Sequence, residues 1–225
     1  MKVVLNTLAD NRKAGSFADK LRKKRFSFFR EHIEKLPLPL NILDVGGTEL
    51  YWERMGFLPA EDIHITILNL EKPSVKNANV SGVAGDARDM KQFSDNSFDI
   101  AFSNSVIEHV GTFEDQQEMA KEMRRVASKI YLQTPNRYFP LEPHFLFPFF
   151  QFLPFKMKVW LLRNFNLGWY PRQKNKEKAM EVVRSVRLMT RKELKMLFPG
   201  AEIYRERFVG LVKSFVVMEG FSQRR

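Results

Sequence analysis

An aspartate followed by two glycines closes the first strongly apolar run of this chain, where Leu40-Asn41-Ile42-Leu43-Asp44-Val45 leads into Gly46-Gly47-Thr48-Glu49. A carboxylate at the carboxyl end of a buried strand can receive a polar ligand group, and glycines let that ligand approach the backbone and meet its N–H groups. Three later apolar runs end in the same way, in Asn69-Leu70-Glu71, Gly85-Asp86-Ala87 and Ser103-Asn104-Ser105. Any one of these is an ordinary cap or turn. Four in succession describe a crevice lined by strand ends that suits a nucleoside, with Asn69 or Glu71 for a ribose and Asp86 for an adenine amine. A helix start near Glu49 to Met55 would add a preference for a carboxylate or phosphate.

The elements that must position these residues are legible from periodicity. Leu40 to Val45, Ile63 to Leu68, Val80 to Ala84, Phe98 to Ser103 and Lys129 to Thr134 are short and apolar or β-branched, as buried parallel strands are. Phe113 to Ala127 is the clearest helix between them, with Met119, Met123 and Val126 on one face and acidic residues in its first turn. Strand and helix alternating in this way predict an α/β fold with a doubly wound sheet. Thr190, with Glu193 three residues on, reads as a capping box before a helix over Arg191 to Phe198. Glu202 to Phe208 and Leu211 to Met218 then finish the sheet as a hairpin-like pair.

Two segments stand outside this rhythm. From Asn11 to Leu36 the residues Phe17, Leu21, Phe28, Phe29, Ile33 and Leu36 recur at helical spacing with Lys20, Arg22, Lys23, Lys24, Arg25 and Arg30 between them, a basic amphipathic helix ended by Pro37 and Pro39. Residues 136–172 carry five prolines, with eight phenylalanines between Phe139 and Phe165, and read as an insert after the fifth strand. One domain is expected over residues 1–225: a basic helical segment to 36, a ligand-binding core over 37–135, a lid or substrate insert over 136–189, and a closing helix and strands from 190.

Composition excludes several classes. With 225 residues, 44% apolar and 28% charged, the chain is globular and long enough to bury a core. It contains no cysteine, which rules out disulfides, thiolate metal sites and cysteine nucleophiles. Residues 1–16 show no secretory leader, and no stretch is long and apolar enough to span a bilayer, so a cytoplasmic protein is expected. The net charge of +11 divides into +6 over residues 1–36, −6 over 37–135 and +11 over 136–225. Basic ends suit an anionic partner, whether nucleic acid, anionic lipid or an acidic substrate; solvated helix faces are the plain alternative.

The stretch from Asn41 to Asn136 resembles the class I S-adenosylmethionine-dependent methyltransferases of the small-molecule, type 11-like group. The residues that carry the resemblance are Asp44-Val45-Gly46, Gly85-Asp86-Ala87, and Phe98-Asp99 through Ser103 to Ile107-Glu108-His109-Val110, followed by Glu122-Met123-Arg124-Arg125-Val126 and Gln133-Thr134-Pro135-Asn136. The resemblance implies a Rossmann-like seven-stranded sheet, its last strand antiparallel, binding S-adenosylmethionine across the strand ends. Asp44, Val45, Gly46, Gly47 and Thr48 would hold the methionine part. Asn69, Leu70 and Glu71 would face the ribose, Asp86 and Ala87 the adenine, and Asn104, Ser105 and His109 the methyl sulfonium. The chain departs from the group at Thr48, where a second glycine is usual, and at Asn69, where an acid is usual; Glu71 would then share the ribose contact.

Methyl transfer from a sulfonium is an in-line displacement, so positioning, exclusion of water and removal of a proton are the tasks left to the protein. His109 is the first candidate base, with a structural hydrogen bond to its loop as the alternative; His144, beside Glu142, is the second, and Glu108 reads as a brace. His32 and His64 stand alone, so no metal is expected. The insert over Tyr138 to Arg172 would set specificity, its phenylalanines lining a pocket, meeting an anionic membrane beside Lys156, Lys158 and Arg163, or packing as a helical cap. The acceptor expected is a small molecule or a lipid-linked one. An RNA- or protein-directed enzyme is the second reading and a non-catalytic S-adenosylmethionine-binding protein the third. Nucleic acid is disfavoured, because pyrimidine C5 chemistry needs a thiolate and no Asn/Asp-Pro-Pro-aromatic run follows the fourth strand.

Overall fold

The computed structural model describes residues 17–58 and 61–221. The leader-free start expected for residues 1–16, and the part of the first helix expected over 11–16, lie outside these residues. The chain divides into two compact units. One joins the described part of the first 36 residues to Pro140–Val183, and the other holds Pro37–Phe139 with the residues from Arg184 onward.

The second unit is built on seven strands: β1 (Leu40–Val45), β2 (Ile63–Asn69), β3 (Val80–Ala84), β4 (Phe98–Asn104), β5 (Ala127–Pro135) and, after two short strands of the other unit, β8 (Glu202–Phe208) and β9 (Leu211–Glu219). Their order is β3-β2-β1-β4-β5-β9-β8. The first five neighbours are parallel, and β9 runs antiparallel to both β5 and β8. The expected seven-stranded sheet with an antiparallel last strand is therefore the one that forms. Burial explains the placement: β1, β4 and β5 each bury at least four consecutive residues, whereas edge strand β8 is largely exposed and carries Arg205, Glu206 and Arg207. Val209 and Gly210, both at positive φ, close the β8–β9 hairpin.

Helices α2 (Glu49–Arg54), α3 (Phe113–Val126) and α6 (Arg191–Leu197) flank the sheet. Met119, Met123 and Val126 of α3 and Leu194 and Leu197 of α6 pack with Leu43, Val45, Ala101 and Leu132. Alternation puts Asp44 and Phe102, paired across β1 and β4, on the other face. There Phe102 stacks on Tyr131 with ring centroids 5.3 Å apart and meets buried Trp52 of α2 at 4.9 Å.

Two capping boxes start helices. Thr190 and Glu193 form the expected one, and Thr112 with Asp115 forms another before α3. Thr190→Ala is expected to cost about 1 kcal/mol, read as a lowered urea midpoint with an unchanged slope; an unchanged midpoint would show that the cap adds nothing to stability.

The first unit holds α1 (Phe17–Ile33), a ribbon of β6 (Leu141–Glu142) and β7 (Phe147–Pro148), a 3₁₀ turn over Phe150–Phe152, and helices α4 (Phe155–Asn164) and α5 (Lys176–Arg184). In α1 the buried stripe runs Phe26, Phe29 and Ile33; Phe26 takes the place expected for Phe28, which is half-buried against His32. Phe145 stacks between Phe150 and Tyr170 at 4.1 and 5.0 Å. Among the described residues no helix is long and apolar enough to cross a membrane.

Candidate active site

Strand register brings the predicted residues of the sheet unit to one end of it. Asn69 pairs with Ala84, Asn104 with Gln133, and the Gly46 amide donates to Leu68 O at 2.8 Å, so the carboxyl ends of β3, β2, β1, β4 and β5 lie in one row. That row holds the turn after β1, Asn69, Gly85-Asp86, and Asn104-Ser105.

Asp44 is the centre of the arrangement. Its carboxylate is fully buried; Oδ2 accepts from Trp52 Nε1 at 2.7 Å, while Oδ1 is buried with no hydrogen-bond donor. Burial drives its pKa up from 3.8 to about 7, the Trp52 hydrogen bond pulling the other way. Two glycines make this possible. A methyl built on Gly47 would stand 1.7 Å from Asp44 Oδ2, and Gly46, at φ +82°, has Val106 methyls 2.6 Å from where its own would be. Val45 is buried, and its carbonyl accepts from Ser103 Oγ at 3.1 Å. Thr48 caps α2, its hydroxyl accepting from the Tyr51 amide at 3.3 Å.

The remaining predicted residues sit along the row. Asn69 Nδ2 donates to Gly47 O at 2.9 Å, which ties the end of β2 to the glycine turn. Leu70 and Glu71 are exposed beyond it, and Ala87 packs against the core. Asp86 is already engaged: Arg88 donates to Oδ1 from its amide (2.9 Å) and Nε (3.0 Å), and to Oδ2 from Nη2 (2.6 Å), then reaches Asp115 at 2.8 Å. The Arg88 guanidinium holds the Asp86 carboxyl below its usual range, although partial burial opposes this. An adenine amine would share these oxygens with Arg88. Ser105, in the left-handed region at φ +58°, donates from its amide to Gln133 O (2.9 Å) and from Oγ to Gln133 Oε1 (2.8 Å). Half-buried Asn104 precedes it.

His109 lies in a 3₁₀ turn over Ile107–His109 rather than at the start of α3, which begins four residues later behind its own cap. Its Nδ1 is 3.1 Å from Ser185 O. A carbonyl only accepts, so Nδ1 carries the proton, and the lone pair of the neutral ring is on Nε2. Glu108, fully buried, accepts from Thr134 Oγ1 at 2.8 Å and so braces β5. In the other unit, buried Glu142 accepts from His144 Nδ1 at 2.7 Å and from the amides of His144 and Phe145, a carboxylate that orients an imidazole.

Sequence reasoning missed Trp52, Arg88 and Gln133. A basic residue two positions after Asp86 was a usable signal for Arg88; a tryptophan in a short helix reads only as core.

A family model for a methyltransferase domain matches residues 43–129. No curated protein matches the chain in sequence. Among solved structures, a SAM-dependent methyltransferase from Aquifex aeolicus is 14% identical over 86% of this chain and 87% of its own, with a TM-score of 0.51. The N-terminal domain of EvdMO1, crystallised with SAH and D-fucose, is 19% identical over 88% and 82%, with a TM-score of 0.52. SAM-dependent methyltransferases from Methanosarcina mazei match at 17% identity over 85% and 95%, with a TM-score of 0.51. At these identities the likeness is one of fold.

Proposed function

We propose that this chain, which matches a methyltransferase-domain model over residues 43–129 and shares the fold of S-adenosylmethionine-dependent methyltransferases, methylates a small-molecule or lipid-linked acceptor by in-line displacement. The observation that carries this reading is Asp44 Oδ1: a buried carboxylate oxygen with no donor, beside a turn that only glycine can make, fits the ammonium of an amino-acid ligand.

S-adenosylmethionine, when bound, supplies a methyl group on a sulfur that leaves readily. Asp44 would hold its ammonium, Gly46 and Gly47 would allow close backbone approach, and Asn69 with Glu71 would meet the ribose. Asp86, steadied by Arg88, and Ala87 would border the adenine. Asn104 and Ser105 would flank the reacting group, Ser105 fixed by Gln133. His109 Nε2 is the proposed acceptor of the substrate proton in the sheet unit, and His144, oriented by Glu142, is the alternative.

Isothermal titration with S-adenosylhomocysteine, followed by transfer of labelled methyl from S-adenosylmethionine to small-molecule, lipid and RNA fractions of an extract, tests the reading. Binding with label in the small-molecule or lipid fraction is expected. Label confined to RNA or protein would transfer the assignment to a macromolecular acceptor, and binding without any transfer would make the protein a non-catalytic binder.

A further inference from the structure

The aromatic stretch of the first unit leaves much of its apolar surface in water. Phe149 and Trp160 are each 56% exposed, and Phe152, Met157, Phe165 and Trp169 are also open to solvent. The buried side of α4 is formed by Val159, Leu161 and Leu162, so the helix spends three apolar residues on packing and presents Met157 and Trp160 outward. Phe149 is held at φ +56°, a conformation that is costly for a bulky L-residue, and its ring is more than half exposed. Its amide donates to Pro140 O at 2.7 Å and its carbonyl accepts from the Phe152 amide at 3.0 Å, so the backbone turn is fixed internally while the ring is left in water.

Charge says what would cover this surface. From Pro143 to Lys176 there is no aspartate or glutamate, whereas Lys156, Lys158, Arg163, Arg172, Lys174 and Lys176 all fall within it. All six are exposed or half-exposed, Lys158 tied by its ammonium to Gln151 O at 3.0 Å. A polyanion alone would satisfy the cations but bring no hydrocarbon to Met157 and the phenylalanines. The interfacial zone of an anionic bilayer supplies both, and tryptophan, phenylalanine and lysine are the side chains that settle there. At ten residues, α4 is far too short to span a bilayer.

We propose that the 149–176 segment is a peripheral docking surface for anionic lipid membranes. It lies on the bilayer, with Trp160 and Met157 entering the headgroup boundary and the lysines and arginines meeting lipid charge. No step of methyl transfer enters this docking, so it stands or falls separately from the enzymatic reading.

The test is co-sedimentation of the full-length protein with sucrose-loaded vesicles of phosphatidylcholine, with and without phosphatidylserine, at low and high salt. Binding to the phosphatidylserine vesicles is expected, weakened by salt and accompanied by a blue shift of tryptophan emission. Trp160→Ser with Met157→Ser should reduce the partition coefficient about tenfold. Lys156→Glu with Arg163→Glu should do the same selectively on anionic vesicles. All four side chains are exposed, so melting temperature and S-adenosylhomocysteine affinity should not change. Absence of sedimentation at low salt overturns the proposal, as does vesicle binding indifferent to both double variants. Tight binding to an RNA oligonucleotide that displaces the vesicles would overturn it in favour of a nucleic-acid surface.

Discussion

Asp44→Asn is expected to raise the melting temperature of the ligand-free protein at pH 8 while weakening S-adenosylhomocysteine binding about 100-fold, the usual scale for removing one partner of a buried charge pair. The sign follows from linkage. Burial lifts the Asp44 pKa from 3.8 to about 7, so between these values the folded protein binds a proton that the unfolded chain has released. Stability therefore falls as pH rises from about 4 to about 7, by up to roughly 4 kcal/mol at 1.36 kcal/mol per unit, and is level above that. Asparagine keeps an oxygen for the Trp52 N–H and carries no charge to bury, so this slope disappears and the variant gains up to about 8–16 °C at pH 8 and little at pH 4. Binding should show the converse pH dependence. An ammonium prefers the ionised carboxylate, so wild-type affinity rises from pH 6 to pH 8, whereas that of the variant stays flat. Calorimetry across this range checks both halves; equal affinity of the two proteins at pH 8 would remove Asp44 from the site.

The second large effect is expected at Gly47. In Gly47→Ala the new methyl would stand 1.7 Å from Asp44 Oδ2 and 2.2 Å from its carboxyl carbon, so the carboxylate must abandon both its position and the Trp52 hydrogen bond. A loss of about 3 kcal/mol and of measurable S-adenosylhomocysteine binding is expected. Gly56→Ala is the comparison: Gly56, unlike Gly47, has positive φ, at +64°, but nothing lies within 4 Å of its added methyl, so only about 1 kcal/mol should be lost. Combining Gly47→Ala with Asp44→Ala removes the colliding group, so stability should recover while binding does not. Additive losses in denaturant melts would show that the two residues do not meet.

What the sequence revealed, and what it hid, follows from the range of each interaction. Strands β1 and β3 fall where their short runs begin and end; in β1, central in the sheet, four consecutive buried residues make the run apolar, whereas edge strand β3 buries only Val80 and was marked by the Gly85-Asp86 turn that ends it. The Thr190–Glu193 cap was equally plain, since both partners lie within one turn. The Asp44-Gly46-Gly47 turn was legible as an acid and two glycines at a strand end, but not why it needs its second glycine, because only the structure shows the Asp44 carboxylate filling the space beside Gly47. Asp86 showed the same limit: its type and place were clear, yet its capture by Arg88, and Arg88's reach to Asp115, depend on where the β3 and α3 termini meet. His109 was placed on a helix because no proline separates it from α3; Gly111, at φ +124°, and the cap at Thr112 start that helix later. The choice of Phe26 over Phe28 in α1 was set by tertiary packing, which the helical period cannot resolve when phenylalanines stand at 26, 28 and 29.

The row of strand ends has one more consequence. Asp44, Asn69, Asp86, Ser105 and Gln133 stand at the ends of five parallel strands, and β1 and β4, neighbours in the sheet, are separated in the chain by β2 and β3. No single strand–turn–strand unit can present them together, and their row exists only once the parallel ladder has closed. A ligand held by this row would act on the whole sheet: bound, it would add RT ln(1 + [L]/Kd) to the cooperative transition of the unit, and its shortage would lower the threshold at which the protein is lost to unfolding and proteolysis.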